Sequence, residues 1–219
     1  MSEAWDKKDY VDRYNDIYAP GEKELMAGAD LLELNADDDL IDFGCGKGDF
    51  LACVLRLVRS AVGVDSSPHQ IDEARRRFKK EPHVEILESS FQDFDPRGRS
   101  FTKAYSRDAL HHINDAEKEI FLKKVSAAIK PGGLFLLEDA VFEFPAADLD
   151  ANWDALMAEA EKYYGDSWQA RREEVTGYIR NEFPTGISEL KKMAEAAGFK
   201  VLKVSRDCMF FHSLLLEKK

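Results

Sequence analysis

Short apolar runs alternate with amphipathic runs along most of this 219-residue chain, a pattern typical of α/β proteins. Five short apolar runs predict strands at residues 39–43, 61–65, 84–87, 103–106 and 134–137. The amphipathic runs between and before them predict helices at residues 22–34, 49–57, 67–80 and 115–128. Because strands and helices alternate, the sequence predicts a mostly parallel sheet with helices on both faces.

Two further segments flank this alternating region. Tyrosines at positions 10, 14 and 18 lie on one face of a predicted helix, which either packs on the core or covers the functional site as a lid. Residues 143–186 are too long for a simple connection and predict two helices, at 148–164 and 166–180, as a helical cap. We expect residues 1–219 to form one domain, with a lid helix in residues 1–20 and the cap at 143–186.

The first predicted strand runs into a turn with three glycines at alternate positions, Gly44, Gly46 and Gly48. Glycine allows a backbone with positive φ and a close approach to a ligand, and the helix that follows offers free N–H groups. The dinucleotide-binding pattern has its third glycine where this chain has Asp49, and Asp42 adds a second negative charge. The turn therefore favours a ligand with a cationic end over a diphosphate.

Asp65 ends the second predicted strand. A carboxylate at this place can accept hydrogen bonds from both hydroxyl groups of a ribose. The expected ligand thus carries a ribose as well as a positive charge, and S-adenosylmethionine has both.

Four motifs in the same order and spacing resemble those of the class I S-adenosylmethionine-dependent methyltransferases: residues 42–48, Val64-Asp65, Leu110-His111-His112 and residues 130–133. The resemblance covers residues 38–142 and the last thirty residues. It implies a Rossmann-like, seven-stranded, mostly parallel sheet that ends in an antiparallel hairpin, here at residues 200–205 and 209–216. It also implies methyl transfer from S-adenosylmethionine, with S-adenosylhomocysteine as the product.

The resemblance assigns cofactor-binding residues. The three glycines would hold the methionyl part, Asp42 its ammonium group, and Asp65 the ribose. Ser66 and Ser90 stand where the family often has an apolar residue and an acid around the adenine, and Phe91 would bind the adenine through its backbone N–H. Two further candidates complete the predicted cofactor site, Tyr14 of the lid and Arg107 after the fourth strand.

The sequence after the fourth predicted strand contains His111 and His112. Ligands bind beyond the carboxyl ends of the strands in such a sheet, so both histidines are expected near the reactive methyl group. Histidine suits a general base because its pKa lies near neutrality. We expect His111 to be the better base, since residues at that place often face the substrate in relatives; a loop-orienting role is the alternative for either histidine.

The net charge of −11 disfavours nucleic acid as a partner. Three cysteines, Cys45, Cys53 and Cys208, do not form a disulfide framework, and their spacing predicts no metal site. The chain has no apolar run long enough to span a membrane and no apolar signal core near its start. We therefore expect a cytoplasmic monomer or homodimer, without a membrane partner, that acts on a small molecule.

Other functions stay open at this point. The cap together with residues 208–214 is faintly similar to the carboxy-S-adenosylmethionine synthases, which use the cofactor without methyl transfer, although those enzymes lack a Leu-His-His motif after the fourth strand. A binding module that retains the pocket without activity is a second alternative. A nicotinamide oxidoreductase is a distant third, because Asp49 replaces the expected glycine.

Overall fold

The computed structural model describes Trp5, residues 7–18 and residues 20–219, and a seven-stranded sheet forms its centre. Nine strands occur in these ranges: β1 (Asp39–Phe43), β2 (Ser60–Asp65), β3 (Val84–Glu88), β4 (Phe101–Arg107), β5 (Ile129–Asp139), β6 (Val141–Phe142), β7 (Thr185–Gly186), β8 (Phe199–Cys208) and β9 (Phe211–Lys218). The large sheet has the order β3-β2-β1-β4-β5-β9-β8. Six of its strands run in the same direction, and β9 runs in the opposite direction between β5 and β8. The predicted Rossmann-like sheet with a terminal hairpin is confirmed.

Helices cover both faces of the sheet. In the described ranges they are α1 (Lys8–Tyr18), α2 (Glu22–Leu31), α3 (Asp49–Val54), α4 (Pro68–Arg77), α5 (Asp115–Ala128), α6 (Leu149–Tyr164), α7 (Trp168–Asn181) and α8 (Ile187–Ala196). Helices α2, α3 and α4 pack on one face, and α5 and α8 pack on the other. Within these ranges, no helix combines the length and the apolar character that a membrane span requires.

Alternation along β1 explains why this strand lies at the centre. Leu40 packs with α2 and α3, whereas Ile41 and Phe43 pack against the α5 face, and none of the three side chains is exposed. Successive side chains of a strand point to opposite faces, so a strand covered on both faces must be apolar at both. The strand order reverses between β1 and β4, because β2 and β3 follow on one side of β1 while β4 and β5 follow on the other. The carboxyl ends of β1 and β4 therefore lie side by side, with Phe43 opposite Ser106.

Several elements differ by a few residues from the sequence-based boundaries; α2 ends at Leu31 and α4 at Arg77, each three residues earlier than expected. Helix α3 ends at Val54 rather than residue 57, because a turn closed by Leu57 N–H donating to Val54 C=O replaces its last residues. Strand β5 begins at Ile129, directly after α5, and not at residue 134. Ile129 pairs with Phe101 before the register shifts, and Gly132 within this irregular stretch has φ +77°.

The cap consists of α6 and α7 and begins and ends in a short ribbon, in which β6 pairs with β7 in parallel. Its own core contains Leu156, Trp168 and Val175, and it packs against Phe210 at the tip of the β8–β9 hairpin. The end of the cap is held to the main sheet layer by Lys118 of α5, whose buried ammonium group donates to Phe183 C=O and to the Thr185 hydroxyl. The cap therefore stands over the carboxyl ends of the strands.

Gly48 is expected to be sensitive to substitution for a packing reason. A Cβ there would lie 2.4 Å from the Phe78 ring, and the residue has φ +81°. Gly48→Ala should lower the free energy of unfolding by about 3 kcal/mol, the sum of backbone strain and overpacking. The matched control is Gly98→Ala, where φ is +76° but no atom lies within 4 Å, so that only strain of about 1 kcal/mol remains. Equal losses for both variants in urea denaturation would contradict the packing argument.

Candidate active site

The turn between β1 and α3 forms the floor of a crevice. Gly44 N–H and Cys45 N–H both donate to Val64 C=O, at 2.8 and 3.0 Å, which ties the turn to β2. A Cβ at Gly44 would lie 2.4 Å from that of Ala109, so the absence of a side chain lets the turn meet the loop after β4. Gly44 and Gly46 line the crevice, but Gly48 does not, since it faces Phe78. Gly48 thus shapes the turn from outside the crevice.

Two carboxylates on this floor differ in their environment. Asp65 accepts hydrogen bonds from Gly46 N–H at 2.9 Å and Ser67 N–H at 2.8 Å, and it still lines the crevice. Asp42 is 2% exposed and has no hydrogen-bond partner among the described residues. Burial raises the pKa of Asp42 well above its ordinary value, and the carboxylates of Asp65 and Asp49 raise it further. A ligand with a positive charge would stabilise the ionised form of Asp42 against burial and against the repulsion between these carboxylates.

The far side of the crevice contains Ser66, Ser89 and Phe91. The predicted Ser90 lies outside the lining, because its hydroxyl donates to the Asp93 carboxylate at 2.7 Å and accepts from Asp93 N–H at 3.0 Å. Ser89 takes the place that the sequence assigned to Ser90. Neighbouring residues of an extended segment point to opposite sides, so a shift of one residue changes which side chain faces the crevice.

Helix α1 closes the crevice from above. Asn15 and Gln70 exchange two hydrogen bonds between their amide groups, at 3.2 and 3.0 Å, and both residues line the crevice. The Ser67 hydroxyl donates to Trp5 C=O at 2.8 Å, which holds Trp5 against the start of α4. The side chain of the predicted Tyr14 lies outside the described residues. The predicted lid therefore contacts the site through Asn15 and Trp5.

Arg107 lies in a charged cluster at the end of β4. Its guanidinium donates to Glu138 at 3.0 Å and to Glu24 at 2.5 Å, while Asp108 lies 3.3 Å from its Nε. Tyr105 donates to the same Glu138 carboxylate at 2.6 Å. Burial by itself lowers the pKa of Arg107, but the surrounding acids, Asp108 first, raise it above its ordinary value.

His111 and Asp139 form a buried pair below the loop after β4. His111 Nδ1 lies 2.6 Å from Asp139, whose oxygens also accept from the N–H groups of Ala109, Leu110, His111 and Ala140. Although burial opposes ionisation, His111 and these N–H groups lower the pKa of Asp139 to about 2. Burial lowers the pKa of His111, yet Asp139 and Glu182 raise it above its ordinary value. Both ring nitrogens of His111 thus face carboxylates, an arrangement that favours its protonated form.

His112 differs from its neighbour. Its Nδ1 lies 2.6 Å from Glu182, and its Nε2 is buried without a hydrogen-bond partner in the described structure. Burial and the adjacent positive charge of His111 lower the pKa of His112, although Glu182 opposes this effect. A neutral His112 that donates from Nδ1 to Glu182 has a free lone pair on Nε2. The sequence favoured His111 as the base, whereas these contacts favour His112.

The three side chains of His111, His112 and Glu182 can also hold a metal ion, because one ligand atom from each lies within 4.8 Å of the others. His111 Nε2 lies 3.3 Å from Glu182, and the His112–Glu182 distance is 2.6 Å. Both distances fit hydrogen bonds or ion pairs, whereas His112 Nε2 has no partner in the described structure. The expectation of no metal stays a prediction.

A second cavity, of about 590 Å³, lies under the cap next to the crevice. Its wall contains many aromatic side chains: Tyr10, Tyr163, Tyr164, Tyr178, Phe210 and Phe211. The crevice and the cavity share Pro20, Arg107, Asp108 and His112. His111 lines only the cavity.

The sequence of the chain is similar to those of a known protein family. The model of the family described as "Methyltransferase domain" matches residues 20–204, which is most of the chain. The chain belongs to the class I S-adenosylmethionine-dependent methyltransferase family. The cofactor predicted from the sequence, S-adenosylmethionine, is thereby confirmed.

Individual relatives are distant. An uncharacterized methyltransferase of Oceanobacillus iheyensis is 28% identical over 109 residues, which are 50% of each chain. The methyltransferase thus spans about half the length of this curated relative. An S-adenosylmethionine-dependent methyltransferase of Clostridium acetobutylicum has a similar fold, with a TM-score of 0.68 at 13% identity over 96% of this chain and 98% of that one. A mycolic acid cyclopropane synthase in complex with S-adenosylhomocysteine has a TM-score of 0.63 at 18% identity, over 88% and 67% of the two chains.

Several residues of the methyltransferase site escaped the sequence-based reasoning. Gln70 lies within α4 and Glu182 at the end of α7, and neither stands next to a recognisable motif. Asp139 had a signal, because it ends a buried strand as Asp65 does. No local pattern marks Glu182, which reaches His112 from 70 residues away.

Asp65 provides the most direct test of the cofactor crevice. Asp65→Ala should weaken S-adenosylhomocysteine binding tenfold or more, since loss of a charged hydrogen bond costs about 1.5–3 kcal/mol. Isothermal titration calorimetry measures this change. Glu88→Ala is the matched control, because Glu88 pairs with Asp65 across β2 and β3 but does not line the crevice. Unchanged affinity in Asp65→Ala contradicts the assigned ribose contact.

Proposed function

We propose that this methyltransferase transfers the methyl group of S-adenosylmethionine to an oxygen, nitrogen or sulfur atom of a small molecule held under the cap. The observation that supports this most is the wall shared by the crevice and the cap cavity, at Arg107, Asp108 and His112. The cofactor supplies an activated methyl group on a sulfonium. A cofactor in the crevice and an acceptor in the cavity come together at that wall, where orientation alone contributes roughly 7–11 kcal/mol.

Different residues of the crevice are proposed to bind different parts of the cofactor. Asp42, buried and without a described partner, takes the ammonium group, while Gly44 and Gly46 leave room for the methionyl part. Asp65 takes the ribose, and Ser66, Ser89 and Phe91 surround the adenine. Gly48 supports this turn indirectly through Phe78, and Arg107 lines the methyl end.

His112 is proposed as the general base and His111 as its supporting neighbour. Glu182 fixes the tautomer of His112 from Nδ1, which leaves Nε2 to accept the proton of the acceptor. The rings of the two histidines lie 4.1 Å apart between centroids, and burial together with the neighbouring His111 lowers the pKa of His112, which favours its neutral form. Asp139 in turn holds His111 and the backbone of this loop.

The lining of the cavity supports a small acceptor over a macromolecule. Residues of the cap, α1 and the hairpin tip form its wall, and the net charge of −11 opposes nucleic acid. The expected cytoplasmic location and the monomeric or homodimeric state stay predictions.

The proposed function is tested with methyl-labelled S-adenosylmethionine and fractionated metabolite extracts. We expect formation of S-adenosylhomocysteine with a fraction of small molecules, and a label that stays with that fraction. Label in added RNA or protein contradicts the proposal. Cofactor binding without turnover on any fraction favours the inactive module, and a modified cofactor without a methylated product favours a synthase that uses the cofactor in another way.

A further inference from the structure

Asp108 has a special position in the active site. Of the residues described, it supplies the one carboxylate that lines both the cofactor crevice and the cap cavity. Its backbone has φ +50°, a left-handed conformation that few non-glycine residues adopt, and its N–H donates to Glu138 C=O at 3.0 Å. Strained conformations of this kind cluster at functional sites. This backbone conformation occurs at the wall that the crevice and the cavity share.

The charge of Asp108 is incompletely balanced. Its nearest cation is Arg107 Nε, 3.3 Å away, and that nitrogen has no hydrogen-bond partner in the described structure. The same guanidinium also serves Glu24 and Glu138, so one positive charge faces three carboxylates. Burial raises the pKa of Asp108 to about 6, with Arg107 in opposition, as expected for a carboxyl group that lacks a full counter-charge.

The cavity around Asp108 combines negative charge with aromatic surface. Its wall holds four acidic residues, Glu24, Asp108, Glu174 and Glu182, against two arginines, Arg107 and Arg171, and the titratable His111. Glu138 and Asp139 lie directly behind this wall. Six tyrosine and phenylalanine side chains supply most of the remaining surface. Aromatic faces beside carboxylates bind organic cations well, because the ring quadrupole and the charge act together.

We propose, building on the methyl-transfer function, that the acceptor is a small amine that enters as an ammonium ion, with its nitrogen at Asp108 and its apolar body against the aromatic wall of the cap. The ammonium loses one proton to His112 Nε2 and becomes a neutral amine. Its lone pair then forms the new N–CH₃ bond, while the S–CH₃ bond breaks and its electron pair stays on sulfur. Asp108 is thus the residue that selects the acceptor.

A neutral or anionic acceptor fits this site less well. An alcohol adds no positive charge for the Asp108 carboxylate, which shares Arg107 with Glu24 and Glu138, and a carboxylate ligand adds a further negative charge beside it. Unpaired charges of like sign in a partly buried site raise the free energy of binding. The structure therefore favours amines over hydroxyl compounds of the same shape.

Three probes with one carbon skeleton test the proposal: phenethylamine, 2-phenylethanol and phenylacetate. Each is titrated into the protein saturated with S-adenosylhomocysteine, and binding is followed by calorimetry. We expect phenethylamine to bind at least tenfold more tightly than either analogue. Asp108→Asn should reduce this preference to threefold or less; asparagine also tolerates the left-handed backbone, so the fold is kept. Asp154→Asn, on the exposed side of α6, is the control and should retain the preference.

Equal binding of the three probes, tighter binding of phenylacetate, or a preference that survives in Asp108→Asn would overturn the proposal. So would undetectable binding of phenethylamine at millimolar concentration. The affinity for S-adenosylhomocysteine, measured in the same series, tests the cofactor site independently of the acceptor. Normal affinity for that product without amine preference rejects the amine acceptor and leaves the proposed methyl transfer intact.

Discussion

His112→Ala is expected to lower kcat by about a thousandfold, within the range of 10²–10⁴ that a positioned general base contributes. Affinity for S-adenosylhomocysteine should change less than about threefold, since the lost group acts on the acceptor. The measurement is the rate of S-adenosylhomocysteine release with the metabolite fraction that supports turnover. His83→Ala is a matched control, because His83 contacts Leu55 C=O and lines neither cavity.

The pH profile decides between the two histidines. The pKa of His112 is lowered from 6.5, so activity that needs its neutral form should rise below pH 6.5 and stay level above it. The pKa of His111 is raised from 6.5, so a profile controlled by His111 would rise above pH 6.5. A rise on the alkaline side that disappears in His111→Ala means that His111 is the base after all.

Asp139→Asn is expected to lower the free energy of unfolding by about 3 kcal/mol, the usual loss when one partner of a buried ion pair is removed. The carboxylate organises four backbone N–H groups and His111, and an amide accepts at only one oxygen. Activity should fall as well, because the loop that carries both histidines loosens. Urea denaturation at pH 6 measures the loss. Asp115→Asn, which removes a more exposed partner of Lys118, is the comparison and should cost less.

The dependence on pH follows from the lowered pKa of Asp139. A carboxyl group with a pKa of 3.8 when unfolded and about 2 when folded contributes stability above pH 3.8, and this contribution is lost as pH falls toward 2. The raised pKa of His111 contributes stability below pH 6.5 that is lost as pH rises through its folded value. The difference between wild type and Asp139→Asn should therefore be largest between about pH 4 and 6.5 and shrink in acid. A difference that stays constant down to pH 2 contradicts the assigned ion pair.

Sequence-based boundaries succeeded where the signal was local. Helix α5 was predicted at residues 115–128 and lies at Asp115–Ala128, because Asn114 and Glu117 form a capping box and the apolar period is regular. Strand β1 also lies where it was predicted. Strand β5 was placed five residues too late, since Pro131 and two glycines hide a pairing with Phe101 that depends on the neighbouring strand.

The candidate site shows the same difference between residues that a local pattern marks and residues whose place depends on the tertiary structure. The glycine turn, Asp42 and Asp65 were predicted because they lie at the ends of predicted strands, and strand ends meet at one edge of a parallel sheet. Neither Ser90 nor Gly48 lines the crevice, since the side chain of Ser90 donates to Asp93 and Gly48 faces Phe78, and their roles in cofactor binding stay predictions. Both positions show where a residue points, which sequence order alone does not specify.

The amino-acid sequence by itself determined the sheet, the cofactor-binding turn and the two adjacent histidines of this methyltransferase. Such features depend on residue periodicity and on backbone freedom over a few positions. Only the tertiary structure decided which histidine has a free lone pair, since Glu182 and Asp139 reach the pair from 70 and 28 residues away. Charge on a buried side chain depends on the groups that surround it in space, and these come together only when the chain has folded.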